Sequence, residues 1–174
     1  MPPSCGPALP APSGGRAGIY TDGSTFGSGL DNDGSAFSAN LLGPRPGLRN
    51  IPFTLGSANA NDAVICSGQT VTLPAGQYTT LQLAANGLNG NQASQTFTVT
   101  YTDNSTTVIT QSISDWFTPQ GYPQESVLNP TPYRNQSNGT KDYATFSLYD
   151  YTLALNPAKT VKSIALPSKA IAAV

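Results

Sequence analysis

The chain has 174 residues, eight basic and nine acidic side chains, a formal net charge of -1 and no histidine. Without histidine, Ser-His-Asp, Cys-His and His-metal constellations are excluded, and carboxylate pairs are what remains for acid–base chemistry. No charge run builds a footprint for phosphate backbones, and no apolar stretch reaches the roughly eighteen residues that cross a bilayer, so a soluble protein that binds neither nucleic acid nor membrane is expected.

Residues 1–18 are rich in Pro, Gly, Ala and Ser without any period, which reads as a flexible leader or linker ahead of one domain over 19–174. The apolar core of a signal peptide is missing from it. Short β-branched and aromatic runs follow at 37–42, 51–55, 69–73 and 79–84, separated by Gly, Pro, Asn and Asp clusters. A single helical turn over 81–88 competes with the last of these, but Gly87 and Gly90 favour a strand running into a loop. The strongest signal is at 95–101, where Phe97, Val99 and Tyr101 alternate with Thr96, Thr98 and Thr100. Asp103-Asn104-Ser105 then supplies turn chemistry before a run at 107–111, predicting an antiparallel hairpin.

Further on, the run at 144–155 changes phase: Phe146 and Leu148 fall on one face, Tyr149, Tyr151, Leu153 and Leu155 on the other. Either a bulge near Tyr149 or burial on both faces accounts for this. A last run at 161–166 completes an all-β pattern, with strand spacing that suits a single-domain, jelly-roll-like antiparallel β-sandwich. Cys5 and Cys66 are either unpaired thiols or a disulfide closing a loop of about sixty residues, worth roughly 4 kcal/mol in the chain-entropy account. Sequons stand at Asn104, Asn135 and Asn138 and matter only in a eukaryotic secretory host.

Several segments carry a family likeness in their order and spacing. They are Gly18-Ile19-Tyr20-Thr21-Asp22-Gly23, Gly29-Leu30-Asp31-Asn32-Asp33-Gly34 leading into Phe37, Ile51-Pro52-Phe53-Thr54-Leu55-Gly56, Leu73-Pro74-Ala75-Gly76, Ser114-Asp115-Trp116, Tyr133-Arg134 and Lys159-Thr160-Val161. With these the chain resembles, over most of 18–166, galactose-binding-like β-sandwich modules appended to secreted bacterial glycoside hydrolases and other extracellular hydrolases. The resemblance implies a secreted, extracellular, non-catalytic accessory module that holds polysaccharide for a fused or neighbouring hydrolase. It also implies a final hydrophobic strand, which here is reduced to Pro167-Ser168-Lys169-Ala170-Ile171.

Sugar sites stack an aromatic face on the ring and hold its hydroxyls with planar polar groups. Residues 115–134 contain those parts in a Pro- and Gly-punctuated stretch that reads as a long loop over the end of the sandwich. Trp116 or Tyr122 would stack, with Asp115 and Arg134 as hydrogen-bonding groups and Tyr133 beside them. The competing assignment makes Trp116 a core residue and pairs Asp115 with Arg134. Asp22, Asp31 and Asp33 offer hard oxygens for a structural calcium, or serve as Asx turns. If the chain were a glycosidase, Asp115 and Glu125 would be its carboxylate pair. A self-associating fibre or surface-layer subunit is the alternative role, since low charge and an incomplete sandwich would leave an edge for a neighbouring chain.

Overall fold

The computed structural model describes residues 15–43, 47–48, 51–169 and 171–173. In chain order the elements are β1 (Gly15–Arg16), β2 (Ile19–Tyr20), β3 (Ser35–Ser38), α1 (Ala39–Leu42), β4 (Gly47–Leu48), β5 (Ile51–Pro52), β6 (Ala63–Ile65), β7 (Thr70–Thr72), β8 (Thr80–Gly87) and β9 (Gln92–Tyr101). They continue with β10 (Thr106–Ile113), β11 (Glu125–Thr131), β12 (Arg134–Gln136), β13 (Lys141–Asp142), β14 (Phe146–Ala154), β15 (Val161–Ala165) and β16 (Ile171–Ala173).

A six-stranded sheet in the order β1-β6-β16-β8-β14-β11 lies at the centre. One face packs on a four-stranded sheet, β10-β9-β15-β7. Between them Phe97, Val99 and Tyr101 of β9 meet Tyr149, Tyr151 and Leu153 of β14, all buried. The other face is covered by α1 and a small sheet, β13-β12-β3-β2, through a second cluster built on Phe37, Trp116, Phe146 and Leu148. Among the named strands only β2 against β3 runs parallel. The chain is thus an all-β, single-domain β-sandwich.

This double packing explains the phase change in β14. Phe146 and Leu148 belong to the second cluster, and Tyr149, Tyr151 and Leu153 to the first, so β14, between β8 and β11, is buried on both faces. The register irregularity falls on its partner, between Val127 and Asn129 of β11. The predicted hairpin forms as β9 and β10, with Phe97 opposite Ile109. Its turn places Asn104 at φ 63, and Asp103 Oδ1 accepts the Ser105 N–H at 2.9 Å.

Four expectations are corrected. The run at 37–42 leaves the strand after Ser38, whose Oγ accepts the Leu41 N–H at 3.3 Å and starts α1. Residues 115–134 are no single loop, because β11 pairs with β14 along its whole length. The final strand is present: β16 lies inside the six-stranded sheet, pairing with β6 and β8. Pairing also starts ahead of the boundary expected at residue 18, since Gly15 and Arg16 stand opposite Val64 and Ala63. The rest of the leader, residues 1–14, lies outside the described residues, and Cys5 with it. Cys66 is a buried free thiol, and burial pushes it up to about 12.

Candidate functional site

At one end of the sandwich the loops after β8 and β10 meet the small sheet and leave a groove of about 500 Å³. Its walls follow from local chemistry. The Asp115 carboxylate accepts the N–H of Phe117 on Oδ1 and of Gly90 on Oδ2, both at 2.8 Å, tying the two loops together. Asn91 Oδ1 accepts the Asp115 N–H at 2.8 Å, and the Tyr149 hydroxyl donates to the Asp115 carbonyl at 3.0 Å. On the other wall Asp31 Oδ1 accepts the N–H groups of Asp33 and Ser35 at 2.9 and 3.0 Å, closing an Asx turn that leads into β3.

Arg134 joins these walls. Its guanidinium lies 4.6 Å from the Phe146 ring centroid and 4.9 Å from that of Trp116, cation–π distances to both rings. Nε donates to Asp142 Oδ2 at 3.0 Å, and Nη1 reaches Asp31 Oδ2 at 3.5 Å. A guanidinium carries five N–H donors, so donors remain for the groove. Asp33 and Phe117 stand at the mouth, and Phe117 is 54 % exposed with its ring 5.6 Å from Phe146.

The expected site residues are therefore only partly together. Asp115, Trp116 and Arg134 line the groove, whereas Tyr122 and Tyr133 do not. Trp116 is 3 % exposed and edge-on to Phe37 and Phe146 at 5.2 and 5.7 Å, which makes it a core residue with no face free for a sugar. Arg134 pairs with Asp31 and Asp142, and the Asp115 carboxylate with backbone amides, so the expected Asp115–Arg134 pair is replaced. Asp142 and Gln136 line the groove without having been expected, and Phe117, an aromatic of the 115–134 stretch not assigned to stacking, lines it as well. Phe117 was legible as the neighbour of Trp116 that must face the other way if Trp116 is core.

Tyr133 belongs to a separate cluster. Its hydroxyl donates to Asp22 Oδ2 at 2.5 Å, Ser38 Oγ donates to Asp22 Oδ1 at 2.5 Å, and Lys141 Nζ lies 3.0 Å from Asp22 Oδ2. Burial works against the Asp22 charge, but the bonds from Ser38, Tyr133 and Lys141 outweigh it and bring the carboxyl down to about 2. Lys141, in contact with both Tyr133 and Asp22, is raised above its usual range by its own interactions with them. Asp22 and Asp31 thus spend their oxygens on different partners, and among the described residues no three acidic or thiol side chains converge as metal ligands. The expected set of Asp22, Asp31 and Asp33 is not assembled into one calcium site.

Glu125 is engaged as well. Oε2 accepts the hydroxyls of Ser114 and Tyr151 at 2.7 and 2.9 Å, and Oε1 accepts the Gly121 N–H at 3.1 Å. Of the sequons, Asn104 and Asn138 lie in exposed turns, while Asn135 is buried and donates to the Tyr20 carbonyl at 2.9 Å. A groove with a half-exposed ring, a guanidinium and fixed carboxylates is suited to holding a small polar ligand by stacking and hydrogen bonds.

Residues 16–174 match the family model described as an AziU2-like beta-sandwich domain, and the chain belongs to that family. No curated protein matches it.

Proposed function

We propose that this AziU2-like β-sandwich domain is a non-catalytic, extracellular carbohydrate-binding module that takes a sugar in the groove beside Arg134. The observation that carries the reading is the Phe117 ring, 54 % exposed at the mouth of a groove of about 500 Å³. A pyranose laid on that ring would be within reach of Arg134, Asp33 and Asp142 for its hydroxyls. Stacking thus passes from Trp116 and Tyr122 to Phe117, and Trp116 and Phe146 support the guanidinium from behind.

Two further points support the reading. Asp115 and Glu125, the carboxylates a glycosidase would use, spend their oxygens on amides and hydroxyls of the protein itself. The likeness of 18–166 to galactose-binding-like modules favours a secreted accessory that holds polysaccharide for a fused or neighbouring glycoside hydrolase. The test is retention on a panel of soluble and insoluble polysaccharides, with sugar release recorded on the same samples. Selective retention without release is expected, and release that Glu125→Gln abolishes would overturn the non-catalytic reading.

A self-associating fibre or surface-layer role keeps one observation in its favour. β10 is an edge strand of eight residues without charge or proline, and its Val108 is 63 % exposed. The incomplete final strand no longer supports that role, since β16 is in place. Light scattering across a wide concentration range separates the readings: a constant monomer favours the binding module, and assembly that grows with concentration favours the fibre.

A further inference from the structure

A second groove, of about 420 Å³, lies on the other side of the loop that joins β2 to β3. We infer that it is a binding site for a compact oxyanion, a carboxylate or a phosphate, received by Arg16 and the backbone amides of residues 27–29. Among the described residues Arg16 is the only charged side chain lining this groove. It is half-buried on β1, opposite Ala63, so its side chain shares a sheet face with Ala63 and Ile65, and Ile65 lines the same groove. Among the described residues no carboxylate pairs with it; the ion pairs there belong to Arg134, Lys141 and Lys159.

A half-buried guanidinium gains most from a bidentate oxyanion partner, and nothing in the described chain supplies one. The facing wall has complementary donors. The N–H groups of Gly27, Ser28 and Gly29 donate to no acceptor among the described residues, although the loop is otherwise closed by Phe26 N–H to Ser137, Leu30 N–H to Ser35 and Gly34 N–H to Ser28. Gly29 sits at φ 65 with the Ser35 backbone packed where a Cβ would project, so only glycine lets the loop hold this left-handed turn. Consecutive free amides in a turn form an anion-binding concavity. Asn61 adds an exposed amide to the lining. The groove beside Arg134, with four aspartates against one arginine, has the opposite polarity and would repel the same group.

The inference does not rest on the glycan reading and can fail or hold independently of it. The test is a titration of the full chain, followed by amide NMR, with D-glucuronate, inorganic phosphate and neutral D-glucose. Saturable shifts of the Gly27, Ser28, Gly29 and Asn61 amides are expected with glucuronate or phosphate and not with glucose. The first two arms decide whether a carboxylate or a phosphate is preferred. Arg16→Gln, on a two-residue edge strand, should weaken binding roughly tenfold or more, while Arg16→Lys keeps the charge and loses the fork, giving an intermediate loss. The inference is overturned if neither oxyanion shifts those amides, or if Arg16→Gln binds as the parent does.

Discussion

Trp116→Ala tests the reassignment of the lone tryptophan most severely. The indole is buried among Phe37 and Phe146, and its face supports the Arg134 guanidinium at 4.9 Å. Truncating a buried tryptophan costs about 3–5 kcal/mol through lost transfer energy and the cavity left behind. Loss of one of the two rings under Arg134 adds about 0.5–2 kcal/mol. We therefore expect about 3.5–7 kcal/mol in urea unfolding followed by far-UV circular dichroism, much of the 5–15 kcal/mol that typically holds a domain together. Trp116→Phe keeps most of the volume and should cost less than half as much. A Trp116→Ala protein within about 1 kcal/mol of the parent, with an unchanged denaturant slope, would refute the core assignment.

Other expected outcomes follow from particular bonds. Asp22 titrates at about 2 in the fold against 3.8 unperturbed, so its stabilisation is complete above the unfolded value and is lost as pH falls through about 2; Asp22→Asn should flatten that acid limb in pH-dependent urea titrations. Asp62 has the opposite sign: burial raises it to about 6 although its oxygens accept the Gly18 and Ile19 N–H groups, so the folded state binds the extra proton and stability falls as pH rises from about 4 through 6. Asp62→Asn should remove that slope. Tyr151→Phe strips a buried hydroxyl that accepts the Ser114 N–H and donates to Glu125, both at 2.9 Å, and should cost about 1–3 kcal/mol by chemical denaturation. Cys66 should resist alkylation in the native protein and react on unfolding, read by peptide mass mapping; rapid native labelling would contradict its burial.

The hairpin β9–β10 was legible because Phe97, Val99 and Tyr101 alternate with threonine over a strand wet on one side. β14 was legible as a strand, and its phase change already allowed burial on two faces; choosing between that and a bulge needed the third layer, which no local pattern encodes. β11 was hidden because Asn129 and Pro130 break its pattern, which an edge strand tolerates. β16, Ile171–Ala173, was hidden because small side chains suffice in a crowded sheet centre and give no β signal. At the site, residue types announced a polar and aromatic cluster, but which carboxylate meets Arg134 depends on β12–β13 register. That register sets Arg134 opposite Asp142, a pairing with no signature in either segment.

Sugar binding at Phe117 is tested most directly by polysaccharide retention in affinity electrophoresis, comparing the parent with Phe117→Ala, a variant that removes a half-exposed ring and leaves the core intact. At least one polysaccharide should retard the parent, with retention by Phe117→Ala weakened roughly tenfold or more at unchanged unfolding midpoint. Retention of the Phe117→Ala protein equal to the parent, or no retention of either by any polysaccharide, would contradict sugar binding there.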